Sequence, residues 1–232
     1  MRIAIIPARG GSKRIPRKNI KDFCGKPIIA YPIEAALNSG VVDKVIVSTD
    51  DEEIASIARQ YGAETPFVRS SRLADDYTGT VAVIRDAILQ LQQIGWTLTE
   101  CACIYATTPL LNSERIAEAY QLLFDSHADF IFTCARFSFP IQRALLKTDQ
   151  GGVIPFDPPS VPKRSQDLPP TFHDAGQLYW AAVETWMDPA KHIYSADSRM
   201  LLLPERLVQD IDTQEDWEHA ELLYKVMQSL GQ

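Results

Sequence analysis

The sequence predicts an α/β fold built on a doubly wound, mostly parallel, Rossmann-like sheet. Three observations carry this. Short apolar strands alternate with amphipathic helical stretches from residue 2 to about residue 135. The first strand runs straight into a loop rich in Gly, Lys and Arg, at the edge where such sheets bind ligands. With 232 residues, 46% hydrophobic and 23% charged, the chain can fill one sizeable core and is too short for two full domains. One domain over residues 1–232 is therefore expected.

The elements follow in order. Residues 2–6 (RIAII) read as a buried strand that Pro7 ends. Residues 27–39 carry apolar residues at Ile29, Ile33, Ala36 and Leu37, a helical spacing, with Pro27 in the first turn and Gly40 as the stop. Pro32 then falls near the start of the regular helix. Residues 44–49 (KVIVST) form a β-branched strand, and 51–61 a helix stopped by Gly62. Over 80–94, Val81, Ile84, Ile88 and Leu91 share one helical face. Residues 101–105 are a strand, 113 to about 124 a helix, and 129–135 a strand.

The alternation then breaks. Residues 136–174 hold seven prolines and weak patterning, which predicts a long arm-like excursion, a hairpin or an interface segment rather than a domain. Strand returns at 176–182. Residues 200–203 and 206–211 read as strand or extended chain, and 213–228 as a closing helix with Thr213 as N-cap and Asp216 at its third position.

Composition excludes some functions. The net charge is −7, so general binding to nucleic acid or to an acidic membrane surface is not expected. No stretch approaches the roughly 20 apolar residues of a membrane span. The N-terminus reads as a strand, not a signal peptide. Cys24, Cys101, Cys103 and Cys134 match no zinc spacing, and free thiols in the cytoplasm are the expected state.

Against this acidic background the segment Ile6 to Asn19, IPARGGSKRIPRKN, gathers five basic residues within ten positions. Gly10 and Gly11 allow close approach of the backbone, whose N–H groups can face an anion. The segment has the makings of a polyphosphate cradle, although a solvated basic loop has the same composition. It is neither a P-loop nor a dinucleotide fingerprint, which leaves an oxidoreductase the weakest reading. In Asp210-Ile211-Asp212, alternate residues of an extended chain share a side, so both carboxylates can face one hard cation. Asp212 could instead cap the closing helix. In Ser48-Thr49-Asp50-Asp51 a carboxylate could cap a helix or meet a ribose or a metal.

The string IPARGGSKRIPRKN resembles the signature of the CMP-sugar synthetases, the acylneuraminate cytidylyltransferase family. The resemblance runs from residue 3 to about 222. Further matches come in order: STDD at 48–51, Arg69 followed by Asp76 and by TGT at 78–80, ATTPL at 106–110, GQLY at 176–179, and DIDT at 210–213. It implies that the anomeric hydroxyl of a nine-carbon sugar acid attacks the α-phosphate of CTP and that pyrophosphate leaves. By that likeness Ala8, Arg9, Gly10, Gly11, Ser12, Lys13 and Lys18 line the nucleotide site, and Arg9 and Lys18 steady the reacting phosphates. Asn19 lies near the cytosine and ribose. Arg69, Thr78 and Thr80 surround the base, where a surface arginine and a helix cap are the plainer alternatives. Asp210 and Asp212 hold Mg²⁺.

Departures from the sialate-activating pattern bear on the sugar. The segment from Tyr105 through Thr107 and Thr108 lacks the usual Gln, and His173 and Ala175 stand where Arg and Asn are usual. With Gln177 and Tyr179 these positions are expected to face the sugar acid, although His173 could equally be structural. The combination resembles the branch that activates pseudaminic acid for surface glycans such as those of flagellin. Rival acids are N-acetylneuraminate, legionaminate and 3-deoxy-octulosonate, and a rival of another class is a non-catalytic nucleotide sensor. The family likeness also makes the 136–174 arm a homodimer contact, with Arg164 able to reach a sugar carboxylate across the interface.

Overall fold

The computed structural model describes residues 1–75 and 77–230. In chain order the strands and α-helices are β1 (Arg2–Pro7), β2 (Asp22–Phe23), β3 (Lys26–Pro27), α1 (Ala30–Asn38), β4 (Lys44–Ser48), α2 (Glu52–Gln60), α3 (Thr80–Gln93), β5 (Glu100–Ile104), α4 (Ser113–Ser126) and β6 (Ile131–Arg136). They continue with β7 (Leu145–Lys147), β8 (Val153–Pro155), β9 (Phe172–Ala182), α5 (Val183–Met187), β10 (Arg199–Leu202) and α6 (Gln214–Ser229). The main sheet has six strands in the order β10-β6-β9-β5-β1-β4. All neighbours are parallel except β9, which runs antiparallel between β5 and β6. The mostly parallel α/β sheet is thus as expected.

Strand alternation sorts the core. Ile3 and Ile5 of β1 face α3 and α5, where Ile84, Ile88 and Trp186 are buried. Ala4 and Ile6 face α1, α2 and α4, packing with Ile33, Ile54 and Ile116. A third cluster joins Ile15 of the basic loop, Phe23, Ile28 and Tyr31 to Ile211 and Trp217. It fastens the first loop to the segment before α6 through apolar burial. No helix among the described residues is long and apolar enough to cross a membrane. Three cysteines are buried and all four are free.

Some local expectations change. Pro27 lies in the β2–β3 hairpin, not in a helix. Helix α1 starts at Ala30, so Pro32 still falls in its first turn, where a missing N–H breaks no intrahelical bond. Residues 206–211 are not a strand: Glu205–Leu207 form a 3₁₀ turn and irregular chain follows. Thr213 is the N-cap of α6 and forms a reciprocal capping box with Asp216, as its spacing suggested. The proline-rich excursion contains a separate β7–β8 hairpin that pairs with itself. Leu145, Leu146, Val153, Ile154 and Phe156 on and beside it are exposed.

Candidate functional site

The basic loop leaves the carboxyl end of β1. Asn19 is buried and its Nδ2 donates to the Arg9 carbonyl at 2.9 Å, which fixes one turn of the loop. Ala8 is fully buried and its N–H donates to the Ser48 carbonyl. The Gly10 N–H donates to Asp50 Oδ1 at 3.0 Å. Gly10 must be glycine for space: a Cβ there would lie 2.6 Å from Asp51 Oδ2. Asp51 is the N-cap of α2, accepting from the Ile54 N–H, and is paired with Arg17. That hydrogen bond, with the backbone donors of the cap, holds the Asp51 carboxyl down to about 2. The helix-cap reading of STDD therefore holds for Asp51.

Lys18 reaches across to the segment before α6. Its Nζ donates to the Ile211 carbonyl at 2.6 Å and lies 3.5 Å from Asp212 Oδ1. Arg14, a residue the sequence reading did not single out, pairs with the same oxygen at 2.8 Å. The Asp212 side chain does not cap the closing helix, since Thr213 and Asp216 do so and Asp216 also accepts the Asp212 N–H. Ile211 is buried with Ile15 of the basic loop, and Asp212 beside it meets Arg14 and Lys18 of that loop. Protein around its carboxyl and the like charge of Asp212 raise the pKa of Asp210, although the residue as a whole is exposed.

Beside this meeting point lies a cleft of about 300 Å³. Arg9, Ser12, Lys18 and Asn19 form one wall, and Arg69, Thr78, Thr80, Tyr105 and Thr107 line the rest. An adjoining hollow of about 280 Å³ is lined by Arg9, Ser12, Lys13, Arg14, Ile15 and Lys18. Gly11 is exposed on the same loop. Arg69 is not a surface arginine. It is buried, and its guanidinium donates to the side chain and the carbonyl of Ser48. Burial lowers its pKa, and the carboxylate of Asp50 partly opposes this. Neither threonine caps α3, whose N-cap is Gly79. The Thr78 N–H donates to Asp75 Oδ1, and Thr80 Oγ1 lies 2.7 Å from the Tyr105 hydroxyl. Asp76, the acidic member of that motif, lies outside the described residues.

Several expected sugar contacts fall elsewhere. Thr108 is buried and its hydroxyl donates to the Tyr105 carbonyl, closing a turn. Ala175 packs in the core. Gln177 is buried and its Nε2 donates to the Leu207 carbonyl at 2.7 Å, bracing the chain that leads to Asp210. His173 packs edge-to-face against Phe137 and lines a second cleft with Arg136, Arg206 and His219. Successive strand residues point to opposite faces. The next residue, Asp174, accordingly lies on the other face and accepts from the hydroxyls of Tyr179 and Tyr194. Tyr179 is buried against Tyr105, ring centres 5.6 Å apart. Arg164 is exposed on the arm and pairs with Asp167. Asp174 and Tyr194 had no spacing signal in the sequence, because only the fold brings them together.

Asp210 and Asp212 are the acidic pair suited to a hard cation. Among the described residues no group of three or more His, Cys, Asp or Glu gathers to hold a metal. Two carboxylates beside a cationic cleft nevertheless fit Mg²⁺, which binds through one or two carboxylates and completes its shell with phosphate oxygens and water.

Residues 3–228 match the family model described as cytidylyltransferase. The chain belongs to the cytidylyltransferase family. Within it, the chain is 47% identical over 224 residues to the pseudaminic acid cytidylyltransferase of Campylobacter jejuni, covering 97% of this chain and 96% of that one. It is 32% identical to the CMP-N,N'-diacetyllegionaminic acid synthase of Legionella pneumophila, covering 97% of each. A solved CMP:2-keto-3-deoxy-manno-octonic acid synthetase complexed with CTP superposes with a TM-score of 0.69 at 16% identity, over 97% of this chain and 98% of that one. This cytidylyltransferase therefore shares its fold with an enzyme of widely diverged sequence.

Proposed function

We propose that this cytidylyltransferase transfers CMP from CTP to the anomeric hydroxyl of pseudaminic acid, using Mg²⁺, as a homodimer. The observation that carries the reading is the junction of the basic loop with the Asp210-Ile211-Asp212 segment beside the 300 Å³ cleft. Similarity to the Campylobacter enzyme over nearly the whole of both chains supports the choice of sugar acid. Arg9, Ser12, Lys13 and Lys18 bind the triphosphate, and Lys18 and Arg14 hold Asp212 in register with it. The sugar oxygen forms a bond to the α-phosphorus while the bond to pyrophosphate breaks, and the hydroxyl proton passes to solvent. Little covalent work falls to the protein in such a transfer: it positions the reactants and neutralises charge. Asp210 and Asp212 would hold Mg²⁺, which when bound supplies charge neutralisation on the phosphate oxygens.

The exposed apolar residues of the β7–β8 hairpin are the surface through which a second copy would pair. Arg164 on the same arm would then reach the partner's sugar carboxylate. The free thiols suit a cytoplasmic setting.

The test is pyrophosphate release with CTP and Mg²⁺ on four acids in parallel: pseudaminic, N-acetylneuraminic, legionaminic and 3-deoxy-octulosonic. Turnover with pseudaminic acid alone is expected. Turnover only with another acid overturns the sugar assignment, and silence on all four with CTP still bound overturns the transferase reading in favour of a nucleotide sensor.

A further inference from the structure

Two cations share one oxygen of Asp212. Arg14 Nη2 lies 2.8 Å from Asp212 Oδ1, and Lys18 Nζ lies 3.5 Å from the same atom. They differ in how firmly they are held. The Lys18 side chain is 18% exposed and also donates to the Ile211 carbonyl at 2.6 Å, so the backbone anchors it. The Arg14 side chain is 67% exposed. It lines the hollow of about 280 Å³ together with Arg9, Ser12, Lys13 and Lys18. Lys18 is thus the fixed partner of Asp212, and Arg14 is the one able to turn.

A divalent ion bound to Asp212 would lie a few ångströms from the Arg14 guanidinium, and the like charges oppose one another. Arg14 and such an ion therefore compete for one carboxylate. The guanidinium has a second class of partner within reach. Its planar fork of donors matches a phosphate as well as a carboxylate. The hollow that it lines is walled by four cationic side chains, those of Arg9, Lys13, Arg14 and Lys18. A polyphosphate there would draw Arg14 away from Asp212. The exchange leaves each charge paired, the metal on the carboxylate and the guanidinium on the phosphate.

We propose that Arg14 is a positioning residue that couples nucleotide binding to metal binding: it holds the Asp212 carboxylate in place, competes with a divalent cation for it, and turns to the triphosphate in the adjoining hollow as the cation takes the carboxylate. The proposal deepens the reading of Asp210 and Asp212 as a Mg²⁺ pair beside a phosphate cradle and rests on it.

The first experiment titrates Mn²⁺, a paramagnetic substitute for Mg²⁺, into the protein without nucleotide. Binding is read from loss of the electron paramagnetic resonance signal of the unbound ion. Arg14→Ala is expected to bind Mn²⁺ about threefold to fivefold more tightly than the wild type, the span of a screened surface ion pair that no longer opposes the metal. The direction of the change is decisive. A residue that only supported Asp212 would loosen the metal when removed, so equal or weaker Mn²⁺ binding in Arg14→Ala overturns the proposal. Asp212→Ala is expected to abolish this binding with or without Arg14. Binding that survives it strikes the reading of the metal pair itself, and the proposal with it.

The second experiment measures CTP binding in EDTA by calorimetry, in the wild type, Arg14→Ala, Asp212→Asn and the double variant. Arg14 has to leave a carboxylate in the wild-type background and not in Asp212→Asn. Loss of Arg14 is therefore expected to weaken CTP by a factor about threefold larger in the Asp212→Asn background. An equal factor in both backgrounds overturns the exchange. Failure of all four proteins to bind CTP would instead strike the phosphate cradle on which the proposal rests.

Discussion

Lys18 and Asp212, 194 residues apart in the chain, sit with Lys18 Nζ 3.5 Å from Asp212 Oδ1, while the same ammonium donates to the neighbouring Ile211 carbonyl. One cation thereby ties the basic loop to the acidic segment. The pair is partly exposed, so its direct worth to stability is small, about 0–1 kcal/mol. Its value is in placement. Asp212→Ala is therefore expected to lower turnover by at least about a hundredfold, as loss of charge stabilisation at a reacting phosphate does, with the melting temperature nearly unchanged. Near-normal turnover would refute the metal-holding role.

Lys18→Ala separates the two substrates. Removing a charged donor from the phosphate wall is expected to raise KM for CTP about tenfold or more. KM for the sugar acid stays close to its wild-type value. Initial-rate kinetics with each substrate varied in turn reads this directly, and an unchanged CTP dependence removes Lys18 from the cradle.

Gly10→Ala probes the close approach of the loop to α2. The new methyl would lie 2.6 Å from Asp51 Oδ2 and 3.1 Å from its Cβ. Asp51 must then swing away from Arg17 and from the α2 cap. The expected cost is roughly 1–3 kcal/mol in denaturant unfolding, in the range of overpacked sites, together with weaker CTP binding. A fully stable, fully active variant would mean that the loop moves freely.

The Arg17–Asp51 pair also predicts an acid response. Asp51 ionises at about 2 in the fold, against an ordinary 3.8, chiefly through its hydrogen bond to Arg17. A depressed carboxyl contributes stability that is complete above the unfolded value and is lost as pH falls from about 4 toward 2. After allowance for solvent screening of this partly exposed pair, the contribution at neutral pH is roughly 1–2 kcal/mol. Asp51→Asn should thus be less stable at pH 7, with the gap closing as pH falls from about 4 toward 2. A gap independent of pH would place the cost in packing rather than in charge.

Thr213→Ala removes half of the capping box that starts α6. About 1 kcal/mol is expected to be lost, which for a chain of this size lowers the melting temperature by about 2–4 °C. Because the same turn sets the bearing of Asp212, turnover should fall further than the stability loss explains. Turnover at the wild-type level would uncouple the cap from the site.

A charge on the arm tests the dimer. Leu146 and Ile154 are both about half exposed on the β7–β8 hairpin, Leu146 48% and Ile154 51%. Leu146→Asp with Ile154→Asp is expected to leave the circular dichroism intact and convert the protein to monomer in sedimentation velocity. A wild-type protein that already sediments as a monomer rejects the arm as an interface.

The strands β1, β4, β5 and β6, the helix faces and the Thr213 cap were legible in the sequence, because each depends on residues within a few positions of one another. The composition of the basic loop was legible for the same reason. What the sequence could not decide is where these pieces meet. Burial of Ile15 and Ile211 in one apolar cluster brings Arg14 and Lys18 onto Asp212. Alternation along β9 turns His173 and Asp174 to opposite faces, and the packing around that strand sends the histidine to a second cleft and the aspartate to the tyrosines. Thr108 Oγ1 and Gln177 Nε2 carry the donors of binding residues but give them to backbone carbonyls, while Gln177 Oε1 is buried without a partner. Local periodicity encodes elements and caps. The pairing of distant polar groups is set only when apolar surfaces close around them and leave those groups no partner but each other.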